Sequence, residues 1–275
     1  MSEFHGKFKK ILADRRSGST TLALRLCRLL RAELRKTDAH IQPDHLPRLI
    51  QEASDIFPEM AIFINFKRTV QAALRRKDTN SPDGMAKSLS EFESRVKSYR
   101  QETAQHLADQ LIEAKTILTL SSSSAVREAI LALSELTSPL VIVCESRPNR
   151  EGAALARELQ KKEVDAEPII DAAVGSVIER VDAVLLGADW VDDDGFINKT
   201  GSCVLSDLAR LHLKPIYVLA DSHRLATRTG KARTTSIGPR ANPTVVPKDF
   251  ERVPWNPAHR LVTEEGIRQP VPTHL

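Results

Sequence analysis

The side chains with chemical reach in this sequence come directly after apolar runs. In VDAVLLGADWVDDDGFINKTG, residues 181–201, the apolar run ends at Asp189, an acidic turn follows, and then come Asn198 and Lys199. A carboxylate at the end of a buried strand is partly desolvated, which raises its pKa and suits it to take and return a proton near neutral pH. The same acid could instead cap the following turn. Lys199 stands close to a helix-like start, where a cation opposes the helix dipole. An anion bound between Lys199 and the helix N–H groups would relieve that conflict. Ion pairs with Asp192, Asp193 or Asp194 would occupy Lys199 equally well.

Four consecutive serines, Ser121, Ser122, Ser123 and Ser124, follow another apolar run and open a helical pattern. Hydroxyls and free N–H groups at a helix start cradle phosphate, and a serine there is also an ordinary N-cap. Arg147 follows a third run, with Pro148 stiffening the turn. Its guanidinium can fork onto a phosphate or a carboxylate, or pair on the surface with Glu145 or Glu151. Together these residues read as a pocket for a small anionic ligand, with cap and turn chemistry as the alternative.

Such residues need a scaffold, and the hydrophobic period describes one. Up to about Lys115 the chain reads as helices. SGSTTLALRLCRLLRAELRK carries Leu22, Leu26, Leu29 and Leu30 at helical spacing behind Ser and Thr cap candidates. HLPRLIQEASDIF and MAIFINFKRTVQAALRRK behave likewise; residues 78–84 read as a loop, and residues 85–114, free of Gly and Pro, as one long helix. After Lys115, short apolar runs (TILTL, PLVIVCE, AEPIID, VDAVLLGAD, KPIYVLAD) alternate with helical segments. Continuous rather than alternating apolar strands mean a parallel sheet covered on both faces. The expected fold class is α/β: a helical N-terminal domain over residues 1–114, then a Rossmann-like doubly wound parallel sheet over residues 115–275. Ligands of such sheets sit beyond the carboxyl ends of the strands, at a switch in strand order. The serines, Arg147, Asp171, Asp189 and Asp221 with His223 all belong to that rim.

Composition narrows the function classes. With 275 residues, 41% hydrophobic and 28% charged, the chain reads as an ordinary globular protein. The net charge of +4 is spread along helix faces and aromatics make up only 4%, which argues against direct nucleic-acid or membrane binding. Cys27, Cys144 and Cys203 are isolated and lack CxxC spacing, so neither a disulfide framework nor a zinc site is expected and a reducing cytoplasm is the natural home. MSEFHGKFKK has no apolar core of a signal peptide, and no apolar run reaches the roughly 18 residues of a membrane span. No Gly-x-Gly-x-x-Gly follows the first strand, against a dinucleotide pocket. No cofactor and no metal are expected.

Three segments then carry a resemblance. CESRPNREGAALARELQ has an Arg-Pro and a downstream Gly; GADWVDDDGFINKTGSCVLSDLAR has Gly-Ala-Asp, then Gly, then Asn-Lys-x-Gly; NPTVVPKDFERVPWNPAHRLVTEEGI closes the chain, and DRRSGSTTLA gives a fainter echo. Together they resemble the superfamily joining the alpha, beta and delta regulatory subunits of eukaryotic translation initiation factor 2B with S-methyl-5-thioribose-1-phosphate isomerase and ribose-1,5-bisphosphate isomerase. The resemblance implies a helical N-terminal domain, a Rossmann-like C-terminal domain that dimerises, and a pocket for a phosphorylated pentose or related sugar, with related subunits as further partners. It implies that Asp189 is the family's acid, Asn198 and Lys199 its ligand-holding pair and Arg147 its Arg-Pro arginine. The N-terminal phosphate segment of the isomerases corresponds to Ser17-Gly18-Ser19, with Arg16 one place away.

The isomerases carry a cysteine after the first strand of the sheet, where this chain reads Thr119-Leu120-Ser121. A thiol titrates near pH ~8.5; a serine hydroxyl is a far weaker acid that serves mainly as a hydrogen-bond donor. Loss of such acid–base help typically costs about 10² to 10⁴ in rate. Two functions are therefore expected. One is a sugar-phosphate enzyme, an aldose–ketose isomerase with Asp189 shuttling the proton and Ser121 in the place of the cysteine. The other is a regulatory or assembly subunit without catalysis.

Overall fold

The structure, a computed structural model, describes residues 3–38, 40–226 and 249–270. Residues 242–248 of the closing resemblance segment lie outside them. The chain divides into two compact units, Met1–Tyr99 and Arg100–Leu275.

The first unit is helical. It holds α1 (Glu3–Ala13), α2 (Ser19–Leu34), α3 (Leu46–Ile56), α4 (Ala61–Leu74) and most of α5 (Pro82–Gln110). α5 starts inside the stretch expected as a loop. Ser81 Oγ accepts the Gly84 N–H at 3.1 Å, and the missing N–H of Pro82 is no loss in a first helical turn, where that group has no partner anyway. Leu22, Leu26, Leu30, Ile50, Phe63, Phe66 and Phe92 are each buried, with the rings of Phe66 and Phe92 stacked at 4.4 Å. Beside them buried Glu93 takes Arg28 at 2.8 Å, Arg31 at 3.0 Å and Lys97 at 2.9 Å. Burial alone would raise its pKa, but Arg28 and Lys97 outweigh it and hold the carboxyl down to about 2.

The second unit is built on a sheet. Among the described residues its strands are β1 (Thr116–Leu120), β2 (Leu140–Cys144), β3 (Ala166–Ile169), β4 (Ala183–Gly187), β5 (Trp190–Asp192), β6 (Gly195–Lys199), β7 (Ile216–Leu219), β8 (Phe250–Pro254), β9 (His259–Thr263) and β10 (Gly266–Arg268). Its helices beyond α5 are α6 (Ser124–Leu136), α7 (Glu151–Gln160), the short α8 (Val174–Val177) and α9 (Ser202–Leu211). Seven strands form the main sheet in the order β10-β9-β7-β4-β1-β2-β3, and β5-β6-β8 form a small antiparallel sheet. All main-sheet pairings are parallel except β9 with β10.

The expected doubly wound architecture is therefore present. One face of the sheet, with Ile117, Val141, Val143 and Leu185, packs on Val126 and Ile130 of α6 and Leu155 and Leu159 of α7. The other, with Leu118, Ile142, Val184 and Val218, packs on Val174, Ile178, Leu205 and Ala209. Strands covered on both sides are apolar at consecutive positions, which is why their runs do not alternate. Pro168 sits in β3, an edge strand, where a residue that cannot donate to a ladder is tolerated.

Candidate functional site

The chain walks from β1 to β2 and β3 on one side, then returns to build β4, β7 and β9 on the other. The reversal of strand order therefore lies between β1 and β4, where crevices open at carboxyl ends. Register sets the depth of the rim. Thr119 pairs with Leu185, Leu120 with Cys144 and Gly187 with Leu219. Extending these ladders puts Ser121 level with Gly187, and Glu145 level with Ser121.

Ser121 leaves β1 with φ 66°, in the left-handed region that L side chains avoid, and turns the chain sharply off the sheet. Ser122 is exposed and Ser124 half-buried at the first turn of α6. Ser123 is the N-cap of that helix, its Oγ accepting the Val126 N–H at 3.5 Å. The cap alternative thus applies to one serine of the four. A Cβ placed on Gly187 would lie 2.5 Å from Ser123 Oγ, 2.6 Å from Ser123 Cβ and 3.7 Å from Asn198 Oδ1. Only a hydrogen at position 187 lets α6, β4 and β6 meet. Asn198 is buried, and its Nδ2 donates to Ser202 Oγ at 2.9 Å while that hydroxyl donates to Lys199 O at 2.6 Å. This orients the amide with Oδ1 on the Gly187 side. Two residues past Gly187, Asp189 is half-buried, its N–H donating to Ile197 O at 2.9 Å.

Lys199 closes β6 and is buried, with Nζ 2.9 Å from Glu151 Oε1 and 3.4 Å from Asp249 Oδ1. Asp192 belongs instead to Arg252. The helix start after Lys199 is served separately: Glu251 Oε1 accepts the N–H of Gly201 at 2.9 Å and of Cys203 at 2.7 Å. The electrostatic conflict seen in the sequence is thus relieved by the protein's own carboxylates, none of them Asp192, Asp193 or Asp194. Glu151 reaches Lys199 because Gly152 lets α7 sit on the end of β2; a Cβ there would fall 1.8 Å from Cys144 O. Arg147 occupies the same rim, held by its backbone. Asp171 accepts the N–H groups of Ser146 and Arg147, each at 2.8 Å. Its exposed guanidinium has no hydrogen bond or ion pair among the described residues, since Glu145 pairs with Arg150 at 3.1 Å. Arg16 belongs to the first unit, exposed in the turn between α1 and α2. Asp14 shapes that turn by accepting the Arg16 N–H at 2.9 Å and the Ser17 N–H at 3.0 Å.

This rim, with its Gly-Ala-Asp strand end and its Asn-Lys pair, can be set beside known proteins. The profile of the Initiation factor 2 subunit family matches residues 15–265. The chain belongs to that family. It is 27% identical over 264 residues to a putative translation initiation factor eIF-2B subunit 2-like protein of Pyrococcus horikoshii, covering 94% of each chain. It is also 27% identical over 269 residues to a ribose 1,5-bisphosphate isomerase of Haloferax volcanii, covering 90% of this chain and 83% of that one. A crystal structure of the Pyrococcus horikoshii translation initiation factor eIF-2B superposes with a TM-score of 0.84 at 26% identity, covering 98% of both chains.

Within this family's fold, no thiol of the chain stands at the Ser121 position. Cys144 ends β2, and burial pushes it up to about 12; Cys203 opens α9 and is pushed to about 11, its Sγ donating to Arg252 O at 3.2 Å. Among the described residues no group of His, Cys, Asp and Glu is arranged to hold a metal ion, and no helix is long and apolar enough to cross a membrane. Reading the sequence missed Glu151 as the partner of Lys199 and missed Glu251 altogether, since its target lies some fifty residues away. It flagged Asp221 and His223 but not Arg224. All three are buried at the end of β7, with Asp221 bound to Arg224 and 3.3 Å from His223 Nδ1. Burial would raise the Asp221 carboxyl, but Arg224 and His223 outweigh it and lower it.

Proposed function

We propose that the chain binds a phosphorylated sugar at the β1–β4 switch point, as a cytoplasmic homodimer. The observation that supports this most is the contact of Gly187 with Ser123 and Asn198. It brings a serine-rich helix start, a fixed amide and a half-buried carboxylate to one level of one sheet edge. The first-turn N–H groups of α6 with Ser122 and Ser124 take the phosphate, and Arg147 folds over it with its unused guanidinium. Asn198 Oδ1 accepts a sugar hydroxyl. Lys199, held by Glu151, donates a hydrogen bond to a ligand oxygen. Asp189 faces the sugar carbon and Ser121 donates to a ring or carbonyl oxygen. The likeness to a ribose 1,5-bisphosphate isomerase supports the ligand class. The three free cysteines fit a reducing compartment.

After binding, the chain either isomerises the sugar through Asp189 or senses it as a regulatory subunit. The serine at position 121, in the place of the thiol, favours sensing. Calorimetry with ribose 1,5-bisphosphate, and NMR of the sugar over time, test both steps. Asp189→Asn is expected to keep binding within a few-fold and to abolish any turnover of the parent protein. Binding without turnover by the parent supports the sensing reading. A parent protein that binds no pentose phosphate at millimolar concentration overturns the site itself.

A further inference from the structure

Of the acids that the strand ends place on the rim, Asp171 takes no part in the ligand contacts given above. β3 ends beside β2, with Ile169 paired to Cys144 and the Glu145 N–H donating to Ile169 O at 2.8 Å. Two residues on, Asp171 opens a short 3-10 turn (Asp171–Ala173) and reaches the chain leaving β2. Its carboxylate oxygens are divided there. Oδ1 accepts the Ser146 N–H and Oδ2 the Arg147 N–H, each at 2.8 Å. The backbone held in this way is one that a chain avoids unless it is made to adopt it. Ser146 is buried with φ 61°, and Arg150 has φ 62°. Left-handed residues of this kind persist only where their surroundings over-determine them. The remainder of the turn closes on itself, the Arg150 N–H donating to Ser146 O at 2.8 Å and the Gly152 N–H to Glu145 O at 3.1 Å. Arg147 stands between the two left-handed residues.

A carboxylate is an unexpected clamp beside an arginine that is to meet a phosphate, because it repels the phosphate and competes for the guanidinium. The geometry removes the competition. Both Asp171 oxygens are engaged by backbone N–H groups, Glu145 is engaged by Arg150 at 3.1 Å, and the Arg147 guanidinium pairs with neither. The same geometry explains why an acid stands here. A carboxylate offers an acceptor to each of the two N–H groups, and bonds to an ionised acceptor are stronger than neutral ones. An asparagine has one acceptor oxygen and would turn its own NH2 towards the second N–H. We propose that Asp171 is a positioning residue of the rim: its two bonds to the backbone of the turn after β2 fix Arg147 in place for the phosphate of a ligand. This rests on the sugar-phosphate reading above and adds to it the residue that sets the place of the arginine.

The sign of the effect separates position from charge. If Asp171 acted only as a nearby negative charge, its removal would tighten anion binding; acting through the turn, its removal weakens it. Calorimetric titration of the full chain with ribose 1,5-bisphosphate, run as a double-mutant cycle, tests this. Arg147→Ala is expected to weaken binding by at least about tenfold. Asp171→Ala is expected to weaken it by a similar factor, and the double variant to bind no more weakly than Arg147→Ala alone, since the clamp acts through the arginine. Asp171→Asn keeps one acceptor and is expected to fall between the parent and Asp171→Ala; it takes the place of Asp171→Ala in the cycle if that variant fails to fold by far-UV circular dichroism. Tighter or unchanged binding in the Asp171 variants overturns the inference. Losses that multiply in the double variant overturn it as well, because Asp171 would then support the fold at large and not Arg147. In both cases the parent still binds and the sugar-phosphate reading stands. A parent that binds no pentose phosphate at millimolar concentration overturns that reading and this inference together.

Discussion

Gly187 is the residue on which the site's geometry turns. Its neighbours close to 2.5 and 2.6 Å of where a Cβ would stand, and one of those atoms is the Cβ of Ser123, which cannot swing away by a rotamer change. Gly187→Ala is therefore expected to push the start of α6 off β4, lowering stability by about 1–3 kcal/mol and weakening sugar-phosphate binding more than tenfold. Urea unfolding and calorimetry check the two effects. If binding is unchanged in a destabilised Gly187→Ala protein, the contact is packing and the site lies elsewhere on the rim. Ser121 illustrates a different limit. Its residue type could be read directly, but its left-handed backbone, which aims the serine turn, could not.

At the scale of elements, the rim is assembled by carboxylates from outside the strands they serve. Glu251 of β8 caps α9, Asp171 caps the turn carrying Arg147, and Glu151 of α7 holds Lys199 of β6. Removing the α9 cap leaves two N–H donors without their acceptor and takes an anion from the positive end of the helix. Glu251→Ala is expected to cost about 1–2 kcal/mol of stability, measured by denaturant titration. It should also loosen α9 locally, seen as faster amide exchange at Gly201 and Cys203. Unaltered exchange there would mean that Glu251 is a bystander. Glu93 plays a related part among the helices of the first unit, where one buried carboxylate gathers three basic side chains from two helices.

At the scale of the whole molecule, acid sensitivity follows from one buried ring. His259 is fully buried between Ser206 and Asn256, with Phe196 and Trp255 edge-on at 5.5 and 5.6 Å. Its Nδ1 accepts the Asn256 N–H at 3.0 Å, so Nε2 carries the hydrogen and donates to Ser206 Oγ at 2.9 Å. Ser206 thus receives hydrogen bonds and is not activated as a nucleophile. Burial disfavours the imidazolium and lowers the pKa from 6.5 to about 4. Because the unfolded chain takes up the proton first, stability is full above pH 6.5 and falls as the pH drops towards 4. The loss from this group approaches roughly 3 kcal/mol at ~1.4 kcal/mol per pH unit. Urea midpoints across that range should show the slope, and His259→Gln should flatten it. An equal slope in both proteins would assign the acid sensitivity to other groups.

The sequence alone determined the α/β class, the parallel sheet, the helical first part and the positions of the strand ends. These are written in hydrophobic period and turn chemistry, which act over a few residues. It also marked Asp189, Asn198, Arg147 and the serines, since each directly follows an apolar run. What only the tertiary structure decided is who meets whom. The partners of Lys199 stand 48 and 50 residues away in sequence, at Glu151 and Asp249, and the anion for α9 comes from Glu251 rather than from the neighbouring acidic turn. An ion pair depends on which strand and helix ends become adjacent when the sheet is ordered, and strand order is a property of the whole fold rather than of any segment. The early start of α5 at Pro82 has the opposite cause, a local cap at Ser81 hidden in a composition that reads as loop.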